Sequence, residues 1–173
     1  MLASIAETHA DFAALAQYLI HGRQDVQASP ERVDWIEGHN LATDDPELAA
    51  KIMDATAKLS AKVEKPVYHA SINWHPDEAP AREQMKEIAR RALKLMELEE
   101  HQALVVGHGD TAHPHLHMMI NRVNPNTGKA WRTGHDYARF DRVMKLLAEE
   151  HGFVCAPAKR FKHGDDALGE PGQ

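Results

Sequence analysis

Apolar residues recur along the chain with two periods, and the switches between them predict the elements. Leu2-Ala-Ser-Ile-Ala6 is an apolar run of strand length. Thr8 reads as a helix N-cap with Asp11 in the first turn. Phe12, Leu15, Ala16 and Leu19 follow at helical spacing until Gly22 stops the pattern. Residues 23–31 are a polar loop ending in Ser29-Pro30, and alternation around Val33, Trp35 and Ile36 predicts a short strand over 32–37. Asp45-Pro46 opens a helix that reaches about Val63 before Pro66. Residues 67–75 form a strand with Val67, His69, Ser71 and Asn73 on one face and Tyr68, Ala70, Ile72 and Trp74 on the other. After a loop bracketed by Pro76 and Pro80, residues 80–97 carry Met85, Ile88, Ala89, Ala92, Leu95 and Met96 along one side of a helix. Ala103–Val106 and His115–Val123 read as strands, and Asn124-Pro-Asn-Thr-Gly128 as a hairpin turn leading to Lys129-Ala-Trp131. A last helix runs from about Asp136 to His151 and closes at Gly152. The segment beyond it, with Lys159, Arg160 and Lys162, is expected to be loose.

Strands separated by helices but joined in part by hairpins predict an α+β domain: a mainly antiparallel sheet with helices packed on one face, the other left for a ligand. A length of 173 residues suits one domain. Its expected extent is 1–155, with 156–173 as a flexible tail that starts a linker to a missing domain. The single cysteine, Cys155, excludes an internal disulfide framework and suits a reducing cytosol. No apolar stretch is long enough to span a bilayer, and MLASIAETHADF lacks the order of a signal peptide. A soluble, cytoplasmic protein without membrane insertion is the expectation.

A formal charge of −6 argues mildly against a nucleic-acid partner. The distribution changes that picture, because Arg122, Lys129, Arg132, Arg139, Arg142 and Lys145 follow one another with only Asp136 and Asp141 between them. The thirteen histidines are the larger oddity, and they form no tag-like run.

The informative segment is His108-Gly-Asp110-Thr-Ala-His113-Pro-His115-Leu-His117-Met-Met-Ile-Asn121. In a strand, His115 and His117 point to the same side, about 7 Å apart at Cα, so they can share one ion. Pairing of the two strands would bring His108 beside them. Three imidazoles leave coordination positions open for a substrate oxygen, and Asp110 is placed to orient a ligand imidazole or to take a proton. A solvated strand end with chance histidines is the plainer alternative. Against it, Met118-Met119-Ile120 marks a core strand, where unpartnered imidazoles would be costly.

A histidine–hydrophobe–histidine pair on a strand is similar to the hallmark of the HUH endonucleases, which nick and rejoin single-stranded DNA. The longer pattern at His108, Asp110, His113, Pro114, His115, His117 and Asn121 resembles the third motif of the relaxase/mobilization nucleases of the plasmid mobilization class. The flanks His101-Gln-Ala-Leu and Arg122-Val-Asn-Pro-Asn-Thr-Gly-Lys-Ala-Trp131, with Ala16–Gly22 and Glu64–His69, extend the resemblance over nearly all of residues 2–153. It implies a five-stranded antiparallel HUH fold, with His108, His115 and His117 as metal ligands and Asp110 as their support. It also implies a Mg²⁺ or Mn²⁺ cofactor, for which Ni²⁺ or Zn²⁺ can substitute in vitro. The partners implied are single-stranded DNA at an origin of transfer, relaxosome accessory proteins and a coupling protein.

Such chemistry needs a protein nucleophile, and three tyrosines are available. The resemblance puts the nucleophile at Tyr18, N-terminal to the histidines, although an aromatic beside Leu19 also suits a core. Tyr137 follows the histidines, the order used by HUH replication initiators and transposases. Tyr68 shares its face with Ile72 and Trp74 and reads as core. Tyr18 is preferred, and Arg23, Asn121, Arg122, Lys129 and Arg132 are the expected DNA contacts. A zinc-stabilised DNA-binding module is disfavoured, because closed zinc sites generally use cysteines.

Overall fold

The computed structural model describes residues 1–23 and 30–161, so most of the expected loop over 23–31 and the tail from 162 onward lie outside the described residues. In chain order the elements are β1 (Leu2–Ala6), α1 (Phe12–His21), β2 (Val33–His39), α2 (Pro46–Ala57), β3 (Val67–Asn73), α3 (Arg82–Leu95), β4 (Ala103–His108), β5 (His115–Asn121), α4 (Asp136–His151) and β6 (Lys159–Phe161). The strands form one sheet in the order β2-β4-β5-β3-β1-β6. Every neighbouring pair is antiparallel except β1 with β6. The α+β class and the mainly antiparallel sheet are therefore as the patterning predicts.

Helices cover both faces of the sheet rather than one. Alternation along β3, β4 and β5 sends Tyr68, Ala70, Ile72, Val105, Leu116, Met118 and Ile120 to a core shared with α3 and α4. The opposite side chains Val67, Leu104, Val106 and Met119 pack with Phe12, Leu15 and Leu19 of α1 and with Ala50 and Met53 of α2. Each strand carries apolar residues on both faces along part of its length, and a helix layer is needed wherever they occur. The α1/α2 layer stops where the outward positions of β4 and β5 change from apolar residues to histidines.

Several boundaries differ for local reasons. The chain is still extended at His9, whose backbone exchanges two hydrogen bonds with Val67. The helix therefore starts later, capped by Asp11 accepting from the Ala14 N–H at 3.0 Å rather than by Thr8. Helix α2 ends at Ala57, and Leu59 beyond it is exposed, so no apolar stripe continues toward Val63. The sheet has a sixth strand because residues 156–161 are built into it instead of starting a loose tail. Ala156 N–H donates to the Met1 carbonyl, β6 pairs with β1, and Arg160 reaches Asp136 at 2.8 Å. Asp136 in turn accepts from the buried Tyr68 hydroxyl at 3.0 Å, so the last strand is anchored to the core across the domain.

Gly107 on β4 lies under the Trp35 indole, and a Cβ there would stand 2.1 Å from Trp35 Nε1. Gly107→Ala should therefore overpack this point and lower the urea unfolding free energy by about 1–3 kcal/mol. Gly134→Ala, where a Cβ would meet nothing within 4 Å, should leave the midpoint nearly unchanged.

Candidate metal centre

The β4–β5 hairpin assembles the centre. His108 and His115 are Cα partners at the ends of the two strands, and His117 is two residues further along the same face. The ring centroids stand 5.0 Å apart for His108–His115, 4.6 Å for His108–His117 and 5.3 Å for His115–His117. All three rings are buried, and one ligand atom from each lies within 4.8 Å of the others. The three histidines singled out by spacing are thus brought together.

Hydrogen bonds fix which nitrogen of each ring faces inward. His108 Nε2 donates to the Leu19 carbonyl at 2.7 Å, and His115 Nδ1 donates to the His113 carbonyl at 2.9 Å. These contacts leave bare lone pairs on His108 Nδ1 and His115 Nε2, which face each other at 3.1 Å. Two facing lone pairs repel unless a proton or a cation lies between them, and outer-nitrogen contacts to carbonyls are the usual support of metal-bound imidazoles. The Nδ1 of His117 lies 2.9 Å from Nε2 of His69, a fully buried histidine on β3. With His117 Nδ1 donating to His69, His117 Nε2 is the third donor atom. Three neutral nitrogens on one sheet face fit a divalent cation with substrate positions left open, a donor set that favours Mn²⁺, Ni²⁺ or Zn²⁺ over Mg²⁺.

Burial reinforces this state. Desolvation, and then the charge on His115, depress the His108 pKa from 6.5 to about 4. Burial lowers His115 as well, and holds His117 well below its ordinary value with His69, His108 and His115 as further causes. The rings are neutral at pH 7 and able to donate lone pairs.

Asp110 does not touch the outer nitrogens of the three rings, which are held by Leu19, His113 and His69; that support comes from elsewhere than expected. Its Oδ2 instead pairs with Arg32 Nη1 at 3.3 Å, while its Oδ1 is buried without a hydrogen-bond partner. Arg32, which sequence patterning did not single out, also donates from Nη2 to the Tyr18 carbonyl at 3.0 Å. Tyr18 lies in the last turn of α1, half-buried, directly before the Leu19 whose carbonyl holds His108. The other tyrosines stand on the α3/α4 side. Tyr68 is buried there, and desolvation together with Asp136 pushes its phenol far up, which keeps it protonated. Tyr137 begins α4 and donates its hydroxyl to the Ala158 carbonyl.

The expected DNA contacts separate into two regions. Arg23 follows Gly22, the residue that ends α1 beside the Arg32 guanidinium. Asn121 is at the other end of β5, about 20 Å from His115 at strand rise. It is fully buried and bonded to the Met53 carbonyl and Gln102, which makes it a core residue rather than a DNA contact. Arg122 donates to the carbonyls of Lys65 and Trp131 and staples the hairpin. Lys129 and Arg132 are exposed on the far side of that hairpin.

The family model of relaxase, MobA/VirD2-like nuclease domain, matches residues 22–153, a span that includes the histidines and starts just after Tyr18. Protein MobA of Acidithiobacillus ferrooxidans is 29% identical over 109 residues, covering 58% of this chain and 27% of that protein. A TraI protein of Escherichia coli is 26% identical over 165 residues, covering 89% of this chain and 21% of that protein. The chain therefore spans about a quarter or less of the length of these curated relatives. A solved structure described as the molecular basis of vancomycin resistance transfer in Staphylococcus aureus superposes with a TM-score of 0.57. It covers 92% of this chain and 98% of that one at 15% identity, a likeness of fold.

Unfolded histidines titrate near 6.5, whereas folded His108 stays neutral to about 4. Between those values the unfolded chain takes up protons that the folded cluster refuses. The stabilisation is therefore complete above 6.5 and is lost as the pH falls toward 4. Metal-free protein should lose urea stability between about pH 6.5 and about pH 4, and His108→Asn should flatten that dependence.

Proposed function

Since the chain belongs to the relaxase family through its MobA/VirD2-like nuclease domain, we propose that it nicks one DNA strand at an origin of transfer and stays joined to it through Tyr18. The observation that carries this reading is the convergence of three imidazole lone pairs next to the last turn of α1, which bears Tyr18. In the proposed step the Tyr18 phenolic oxygen attacks the scissile phosphorus and gives up its proton, the bond from phosphorus to the 3′ oxygen breaks, and the 3′ oxygen takes a proton from water, leaving a 5′-phosphotyrosyl link and a free 3′ hydroxyl. The energy of the phosphodiester is kept in the new bond, so the strand can be rejoined.

A free phenol ionises near pH 10, so its proton needs an acceptor. Asp110 Oδ1, buried without a hydrogen-bond partner while its other oxygen is held by Arg32, is the proposed acceptor. His108, His115 and His117 would hold a divalent ion, Mg²⁺ or Mn²⁺ in use, and the ion would supply charge stabilisation at the phosphate. Arg23 is the proposed phosphate contact near the site. Lys129 and Arg132, at the other end of β5, would meet DNA further along the strand. Relaxosome accessory proteins and a coupling protein are the proposed macromolecular partners.

The test uses single-stranded oligonucleotides tiling the DNA beside the encoding gene, with Mn²⁺ or Mg²⁺. The expected product is a protein–DNA adduct mapping between Ala13 and Gly22. Tyr18→Phe should abolish it without loss of fold or DNA binding. An adduct that survives in Tyr18→Phe and disappears in Tyr137→Phe would instead show initiator-type wiring. Alanine at His115 or His117 should remove both metal binding and cleavage, and calorimetry should show Mn²⁺ binding tighter than Mg²⁺.

A further inference from the structure

Arg32 joins parts of the site that are far apart in sequence. It is fastened twice to the corner after β4: its carbonyl accepts from the Gly109 N–H at 3.1 Å, and its Nη1 pairs with Asp110 at 3.3 Å. From that corner Nη2 reaches the Tyr18 carbonyl at 3.0 Å, and the guanidinium carbon lies 5.9 Å from the centre of the Tyr18 ring. The Arg32 and Asp110 side chains are only 18% and 14% exposed, so solvent and salt screen the pair less than a surface pair.

We propose that Arg32 is the positioning residue of this site, a planar clamp that sets the last turn of α1, and with it Tyr18, against Asp110 and the histidine cluster. The inference rests on the reading of Tyr18 as nucleophile. Two consecutive carbonyls of that turn are held from the sheet: Leu19 by His108 at the end of β4, and Tyr18 by Arg32 just before β2. Carbonyls at a helix C-terminus carry partial negative charge, which complements a guanidinium. Gly22, which ends the helix at φ +75, lies beside the clamp: a Cβ there would meet the guanidinium carbon at 3.4 Å, an ordinary contact, so its backbone conformation is what calls for glycine. Without Arg32 the turn would lose its hydrogen bond at the Tyr18 carbonyl, and the Tyr18 ring would lose its cationic neighbour. Lysine would not replace it, because one ammonium on a flexible stem cannot span both acceptors in the geometry of a fork.

The test compares Arg32→Lys and Arg32→Met with wild type in two measurements. In protein labelled with 3-fluorotyrosine, the three tyrosines give three ¹⁹F resonances, and Tyr18→Phe identifies the one from Tyr18. Both Arg32 variants should shift or broaden that resonance and leave those of Tyr68 and Tyr137 in place. On the oligonucleotide that wild type cleaves, the single-turnover rate of adduct formation should fall about 10- to 100-fold, as for a misplaced reacting group. The affinities for that oligonucleotide and for Mn²⁺ should stay within about threefold over the same comparison. An unmoved Tyr18 resonance, or a wild-type rate in Arg32→Met, would overturn the proposal. A loss in oligonucleotide affinity equal to the loss in rate would overturn it too, by making Arg32 a phosphate contact. If Arg32→Met does not fold, Arg32→Lys alone decides both measurements. If the wild-type adduct maps away from Tyr18, the nucleophile reading fails, while the ¹⁹F result still decides whether Arg32 positions Tyr18.

Discussion

The register of β4 against β5 is the constraint on which the centre depends. His108 opposes His115 across the hairpin, and the two-residue period of a strand then puts His117 on the same face. A slip of one residue would turn every side chain of one strand to the other face and send its histidines into the α3/α4 core. The apolar residues oppose that slip: Leu116, Met118 and Ile120 fill one core, while Met119 and Val106 fill the other. The histidines are therefore placed by the packing of their neighbours, and the site inherits the rigidity of the sheet.

Burying several imidazoles so close together is unfavourable unless their polar atoms are used. Their outer nitrogens are held by Leu19, His113 and His69, which fixes the ring orientations; the two carbonyls also set the tautomers of His108 and His115 and leave their inner nitrogens without protons. The cost of keeping those lone pairs dry and opposed is what a bound cation would relieve. Affinity for an ion and strain in its absence have the same origin, and the same origin depresses the histidine pKa values.

The two sides of the sheet divide the work. On the α3/α4 side, Tyr68 packs edge-on against Trp131 and donates to Asp136, and Arg160 ties β6 into the same network. This is architecture, and it holds the last described strand in place. On the α1/α2 side the helix layer ends at the histidines, so the last turn of α1 is both the edge of a core and the wall of a site. The net charge of the chain says little about that wall, since charges are screened beyond about 8 Å in physiological salt and the nearby Arg32 counts for more than distant acidic residues.

Much of this was legible in the chain alone. Strand and helix periods place every element but β6, and the spacing of His115 and His117 puts them on one face because that spacing is a local property of a strand. The pairing of His108 with them follows once a short connection joins two strands. Local periodicity says nothing about what approaches from elsewhere. His69 stands behind His117 only because β3 pairs with β5 in its particular register. Arg32 meets Asp110 across 78 positions of sequence because β2 is the outer neighbour of β4. Asn121 and Arg122 are polar and close to the motif in sequence, yet the rise of β5 carries them to its far end, where they serve the fold. Where each tyrosine lies has the same basis, because which face a helix covers is decided by sheet order and packing, not by the residues of the helix itself.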